Sequence, residues 1–172
     1  SRALSTTHGR GLIYLGGPGG INLDPAMVLS GFRRHGGGDQ FGWRVADAGD
    51  FDRKRDPIFS NDVAMLARVE DYPSSFNATD YLLDGNCGTS AVSNSGAVLV
   101  WSGSASGMPD QVPDFMYFGP QAGQGLRNMI GGFNFNGDAY DDLAISSLEW
   151  DNTSRGTYNT GGLVIIAGRA AD

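Results

Sequence analysis

The sequence holds a single cysteine, Cys87, and two histidines, His8 and His35. A lone thiol forms no disulfide within the chain. The absence of a Cys-x-x-Cys pair also excludes a thiolate zinc site and a dithiol redox motif. The histidines lie apart, in Thr- and Gly-rich flanks, and read as exposed loop residues rather than a clustered ligand set. Long apolar runs are missing: Ala97–Trp101 and Leu163–Ala167 are about five residues each, against the roughly 20 that a membrane-crossing helix needs. Basic residues are scarce. Lys and Arg total 12 against 19 Asp and Glu, a net charge of −7. That balance argues against a nucleic-acid partner, which needs a basic face for phosphates, and against an anionic membrane surface. It suits carboxylates gathered around a cation. The chain opens Ser-Arg-Ala-Leu, with neither Met nor an apolar leader, and reads as processed or trimmed.

Glycine is what the sequence has in excess, 27 of 172 residues, about 16% against a usual ~7%. There is no Gly-X-Y period, so collagen is excluded. Glycines this dense between short apolar runs mark tight turns between short strands, and the expected class is all-β. Three octads share one pattern: Gly9-Arg-Gly-Leu-Ile-Tyr-Leu-Gly16, Gly96-Ala-Val-Leu-Val-Trp-Ser-Gly103 and Gly161-Gly-Leu-Val-Ile-Ile-Ala-Gly168. A second unit also recurs. Phe41-Gly-Trp-Arg-Val-Ala-Asp-Ala-Gly-Asp-Phe-Asp52 precedes Asn61-Asp-Val-Ala-Met65, and Gly125-Leu-Arg-Asn-Met-Ile-Gly-Gly-Phe-Asn-Phe-Asn136 precedes Asp141-Asp-Leu-Ala-Ile145. Aligning Asp50 with Asn134 leaves a four-residue insertion in the first copy. Arg68–Asn94 and Leu148–Thr160, rich in Asp, Asn, Ser and Thr, read as loops.

This order of elements resembles the FG-GAP repeat, whose copies form the blades of the β-propeller in integrin alpha subunits and related surface proteins. Phe41-Gly42 supplies the Phe-Gly element of the first copy; in the second, Gly125-Leu126 stands there and Phe118-Gly119 lies upstream. Asn134-Phe-Asn-Gly-Asp-Ala-Tyr-Asp-Asp142 is close to that family's calcium loop, Asp-x-Asn-Gly-Asp-Gly-x-x-Asp. The resemblance implies a propeller segment of about two to two and a half four-stranded antiparallel blades, incomplete on its own. Residues 1–40 hold the outer strands of a preceding blade, among them Gly11–Leu15 and Met27–Ser30. Residues 41–119 form a complete blade ending in Asp114–Phe118, and 120–172 a three-stranded one with the calcium loop. Nine strands are too few for a closed ring of about 4–8 blades, so faces carrying Val98, Val100, Leu163 and Ile165 are expected to be bare. The expected partners are other blades of the same parent protein or of partner chains, with a protein or glycan ligand.

The loop's oxygen groups suit calcium, a hard cation taking 6–8 oxygens. Asn134, Asn136 and Asp138 offer side-chain oxygens, Tyr140 its carbonyl and Asp142 a carboxylate, while Gly137 permits the turn. Asp141 then turns away and bonds loop amides. Two formal charges place the affinity near ~10⁻⁴–10⁻³ M. The alternative is an Asx-rich turn held by its own side chains. In the first copy Asp50, Asp52 and Asp62 match ligand positions, and Asp56 replaces a missing acid if Arg53–Pro57 bulges outward. Catalytic motifs are poor: Gly103-Ser-Ala-Ser-Gly107 centres on Ala, and Gly16-Gly-Pro-Gly-Gly20 lacks Lys-Ser/Thr. Trp43, Phe51, Trp101, Phe133, Phe135 and Trp150 are expected in the core. Tyr72, Phe76, Tyr81 and Tyr158 lie in loops, and Asn77 and Asn152 fit the glycosylation pattern. The expected function is a non-enzymatic, calcium-stabilised adhesion or assembly module of an extracellular or cell-surface protein. The alternatives are the accessory propeller of a secreted hydrolase or a carbohydrate-binding propeller.

Overall fold

The computed structural model describes residues 9–30, 40–52, 61–68, 72–73, 90–103 and 111–169. Among them the chain is all-β, with thirteen antiparallel strands and one 3-10 turn, Thr153–Arg155. In chain order the strands are β1 (Arg10–Ile13), β2 (Gly16–Gly17), β3 (Gly20–Ile21), β4 (Met27–Ser30), β5 (Phe41–Gly49), β6 (Asp62–Ala67) and β7 (Tyr72–Pro73). They continue with β8 (Ser90–Val92), β9 (Ala97–Trp101), β10 (Phe115–Phe118), β11 (Leu126–Phe133), β12 (Asp142–Ser147) and β13 (Gly162–Ile166). Four of these form two two-stranded antiparallel pairs, β2–β3 and β7–β8. The second pair lies inside Arg68–Asn94, which the sequence reads as a long, elaborated loop. The remaining nine strands build the β1–β4 pair, a four-stranded meander β5–β6–β9–β10 and a three-stranded meander β11–β12–β13; among the described residues no sheet closes on itself.

The central strands explain how these sheets lie. Strand β9, Ala-Val-Leu-Val-Trp, is buried at every position, and β6 nearly so. Successive side chains of a strand point to opposite faces, so both faces of this sheet are covered. Ala64 and Leu66 of β6, with Val98 and Val100 of β9, pack with Leu126, Met129, Leu143 and Ile145 of the three-stranded sheet. The alternate residues Met65, Ala67, Ala97, Leu99 and Trp101 pack with Leu29 of β4 and with Phe41. The four-stranded sheet is therefore sandwiched between the β1–β4 pair and the three-stranded sheet. Phe41 and Trp101 meet edge to face, with ring centroids 6.1 Å apart.

Register makes the two larger sheets equivalent. Val63 pairs with Trp101, Ala64 with Val100 and Leu66 with Val98. In the other sheet Leu143 pairs with Ile166, Ala144 with Ile165 and Ser146 with Leu163. The outer face of the three-stranded sheet, carrying Ile130 and Leu163, thus corresponds to the face of the four-stranded sheet that the three-stranded one covers. Ile130 is 62% exposed and Leu163 65%. At the other end of the stack Leu12, opposite Val28 in the β1–β4 register, is 49% exposed.

These placements correct several expectations. Val98 and Val100 are buried rather than bare, because the three-stranded sheet lies on them. Trp43 is 40% exposed: its indole Nε1 donates to Arg127 O at 3.1 Å and its ring lies 5.1 Å from the Arg68 guanidinium carbon, instead of entering a core. Phe135 is 67% exposed because it follows the end of β11, beyond the last paired residue of the sheet. No helix among the described residues is long and apolar enough to cross a membrane.

Candidate metal centre

The Asn134–Asp142 segment connects β11 to β12 at one end of the three-stranded sheet. Short polar side chains bond nearby amides and so fold such a loop onto itself. Asn134 Oδ1 accepts the Gly137 amide at 2.7 Å, and Asn136 Oδ1 accepts the Asp138 amide at 3.0 Å. Asp138 Oδ1 accepts the Tyr140 amide at 2.7 Å, while its Oδ2 accepts Asn136 Nδ2 at 2.7 Å. Asn134 Nδ2 donates to the Asp138 carbonyl. Asn134, Asn136 and Asp138 are therefore tied to one another, as the alternative Asx-turn reading also requires.

Asp142 behaves differently. It is fully buried at the start of β12, and its two oxygens accept backbone amides from Phe135, at 2.6 Å, and Gly168, at 2.9 Å. Asp62 does the same at the start of β6. Its Oδ2 accepts the Phe51 amide at 2.9 Å and its Oδ1 the Gly103 amide at 2.8 Å. One carboxylate in each sheet thus clamps the loop between the first and second strands to the glycine that ends that sheet's own octad, Gly103 or Gly168. Phe51 and Phe135 are equivalent in the repeat, as are Gly103 and Gly168. The four-residue insertion lies between Phe51 and Asp62 without breaking the clamp. A buried carboxylate needs such donors, since an unpaired buried charge is costly.

The first copy is otherwise assembled from intramolecular bonds. Asp52 is buried and its Oδ2 accepts Ser102 Oγ at 2.5 Å. Burial, together with the neighbouring Asp52 charge, pushes the Asp62 carboxyl up to about 6. Asp50 is engaged through its main chain: its amide donates to Asp141 Oδ2 at 2.9 Å, and its carbonyl accepts the Asp141 amide at 3.1 Å. Asp141 does turn toward amides, as its sequence position implies, but the side-chain bond reaches the other copy rather than its own loop. Asp56 lies outside the described residues, as do His8, His35, Asn77 and Cys87.

The donor chemistry of Asn134–Asp142 fits a hard cation. Its groups are carboxylate, carboxamide and carbonyl oxygens, with no softer donor. Among the described residues no group of three or more His, Cys, Asp or Glu side chains gathers in a metal-holding array. The loop does not form such a group because two of its three short acceptors are carboxamides. If calcium binds, Asn134, Asn136, Asp138, the Tyr140 carbonyl and Asp142 would hold it and supply oxygen coordination alone.

A polar cluster at the far end of the same sheets has no counterpart in the sequence reading. Arg127 on β11 bonds Glu149, and Arg68 Nη2 lies 3.9 Å from the same Glu149 Oε1. The Arg127 bond holds the Glu149 carboxyl below its ordinary range. The partners are 22 and 81 residues from Glu149 in sequence, so no local motif marks them. No protein-family model matches the chain, and no curated protein matches it significantly.

Proposed function

We propose that this chain is a run of propeller-type blades, open at both ends, that serves as an interaction module of a surface or secreted protein and is stabilised by calcium. The observation that carries the reading is the repeated unit: two meander sheets stacked face to face, each locked by an equivalent buried aspartate, Asp62 or Asp142. A repeat whose end faces carry Leu12 and Leu163 buries them only against further units of its kind. The FG-GAP likeness of Asn134–Ile145 supports the propeller geometry and the adhesive role, and the hard-oxygen loop supports calcium. On this reading the chain acts by displaying surface and joining partners, not by catalysis.

Calcium is tested by melting the chain in chelator and in ~10 mM calcium. For a site of ~0.1 mM affinity, binding to the folded state adds about 2.7 kcal/mol. Asp138→Ala is expected to remove most of that gain. An identical melting temperature in chelator and in calcium removes the metal from this reading.

A further inference from the structure

The connection from β12 to β13 forms an open surface cavity of about 360 Å³ lined by Gln121, Trp150, Asp151, Asn152, Thr153 and Ser154, and by Thr160 to Leu163. Its frame is fixed. Gln121 and the Asp151 main chain bond reciprocally, Nε2 to carbonyl at 3.0 Å and amide to Oε1 at 2.9 Å. The Thr160 amide and hydroxyl both donate to the Trp150 carbonyl, at 2.8 and 3.1 Å. Across the loop, Asn152 and Thr157 form an antiparallel bridge around the 3-10 turn. The Trp150 indole lies against Gly162, where a Cβ would come within 2.8 Å of the ring. The absence of a side chain there is what seats the ring at the cavity wall.

Within this frame polar groups remain unused by the described residues. Asp151 Oδ1 accepts the Asn159 amide at 2.8 Å, which leaves Oδ2 as a free acceptor. Asn152 Oδ1 accepts Ser154 Oγ at 2.7 Å, which leaves Nδ2 as a free donor. We infer that this cavity is a binding site for a neutral sugar, one pyranose unit of a glycan. An aromatic ring beside a carboxylate acceptor and a carboxamide donor matches a ring with an apolar C–H face and hydroxyls at its rim. The volume falls at the small end of ligand sites, about 300–1,000 Å³. The Asp151 carboxylate and the chain's charge of −7 oppose an anionic sugar. A single aromatic wall does not make the multi-sided aromatic cage that a quaternary cation prefers.

None of the lining residues belongs to Asn134–Asp142, so the site is independent of calcium and is tested in chelator. The probes are the methyl glycosides of glucose, galactose, mannose and N-acetylglucosamine, with choline and glucose 6-phosphate as cationic and anionic comparisons. Saturation-transfer NMR on the 172-residue chain should show transfer to the ring C–H protons of at least one neutral glycoside. Asp151→Asn, which keeps the Asn159 bond, should weaken that glycoside about tenfold without moving the melting temperature. Trp150→Phe should retain binding and Trp150→Ala lose it. The inference is overturned if no neutral glycoside shows transfer, if choline binds in their place, or if Asp151→Asn and Trp150→Ala both bind as the parent does.

Discussion

Asp141 and Asp50 are joined twice across the sheet boundary, Oδ2 of Asp141 to the Asp50 amide at 2.9 Å and the Asp141 amide to the Asp50 carbonyl at 3.1 Å. The contact requires Gly49, which has φ +65° and no Cβ; a Cβ there would sit 2.0 Å from Asp141 Oδ2. Gly49→Ala combines left-handed strain of about 1–2 kcal/mol with loss of a charge-assisted bond of about 1.5–3 kcal/mol. Asp141→Ala should cost about 1.5–3 kcal/mol alone. In urea denaturation the double variant should cost less than the sum of the singles, by more than about 0.5 kcal/mol. Full additivity would show that the two residues do not meet.

The buried clamps predict a second pattern. Asp142→Ala leaves the buried Gly168 amide unpaired, at about 1–3 kcal/mol, while the part-buried Phe135 amide can turn to water at a smaller cost. Asp138→Ala, in the exposed part of the same loop, should cost less than about 1 kcal/mol in chelator. Urea midpoints for the two variants check the order. Equal effects would mean that Asp142 contributes only as part of a surface turn.

Asp62 gives the chain a pH dependence of unusual sign. Its folded pKa, about 6, lies above its ordinary 3.8 because of burial and the nearby Asp52 charge. The proton is held more tightly in the folded state, so this contribution is complete below about pH 4 and is lost as pH rises through about 6. The loss approaches about 3 kcal/mol by about pH 7. In metal-free buffer the stability advantage of the parent chain over Asp62→Asn should therefore shrink between about pH 4 and pH 7. A constant difference across that range contradicts the account of this carboxylate.

The strands were legible because glycine punctuates them: the three octads fall on β1, β9 and β13, and Phe41–Asp52 falls largely on β5. The nine longer strands and their grouping also follow from the repeat. Face assignment was not legible. A run such as Val98-Leu-Val100 is apolar at every position, so alternation carries no signal, and only stacking decides which residues are covered. Trp43 reads as core by type, yet its position on β5 gives it Arg68 and Arg127 as neighbours. Within the loop, Asn136 Nδ2 donates to Asp138 Oδ2 and Asn134 Nδ2 to the Asp138 carbonyl. The ligand-like spacing could not show that Asp142 clamps Gly168, which is 26 residues away, nor that Asp141 reaches Asp50.

The exposed ends of the stack provide the most direct test of the proposed function. Burying side chains such as Leu12, Ile130 and Leu163 is worth roughly 1.5–3 kcal/mol each, a large share of a usual ~5–15 kcal/mol net stability. Light scattering combined with thermal melting of the 172-residue chain measures the consequence. The account predicts assemblies well above the 18.2 kDa monomer, reduced when Leu12→Asp or Leu163→Asp places a charge on an end face. A soluble 18.2 kDa monomer with one sharp cooperative transition would contradict the open-ended stack.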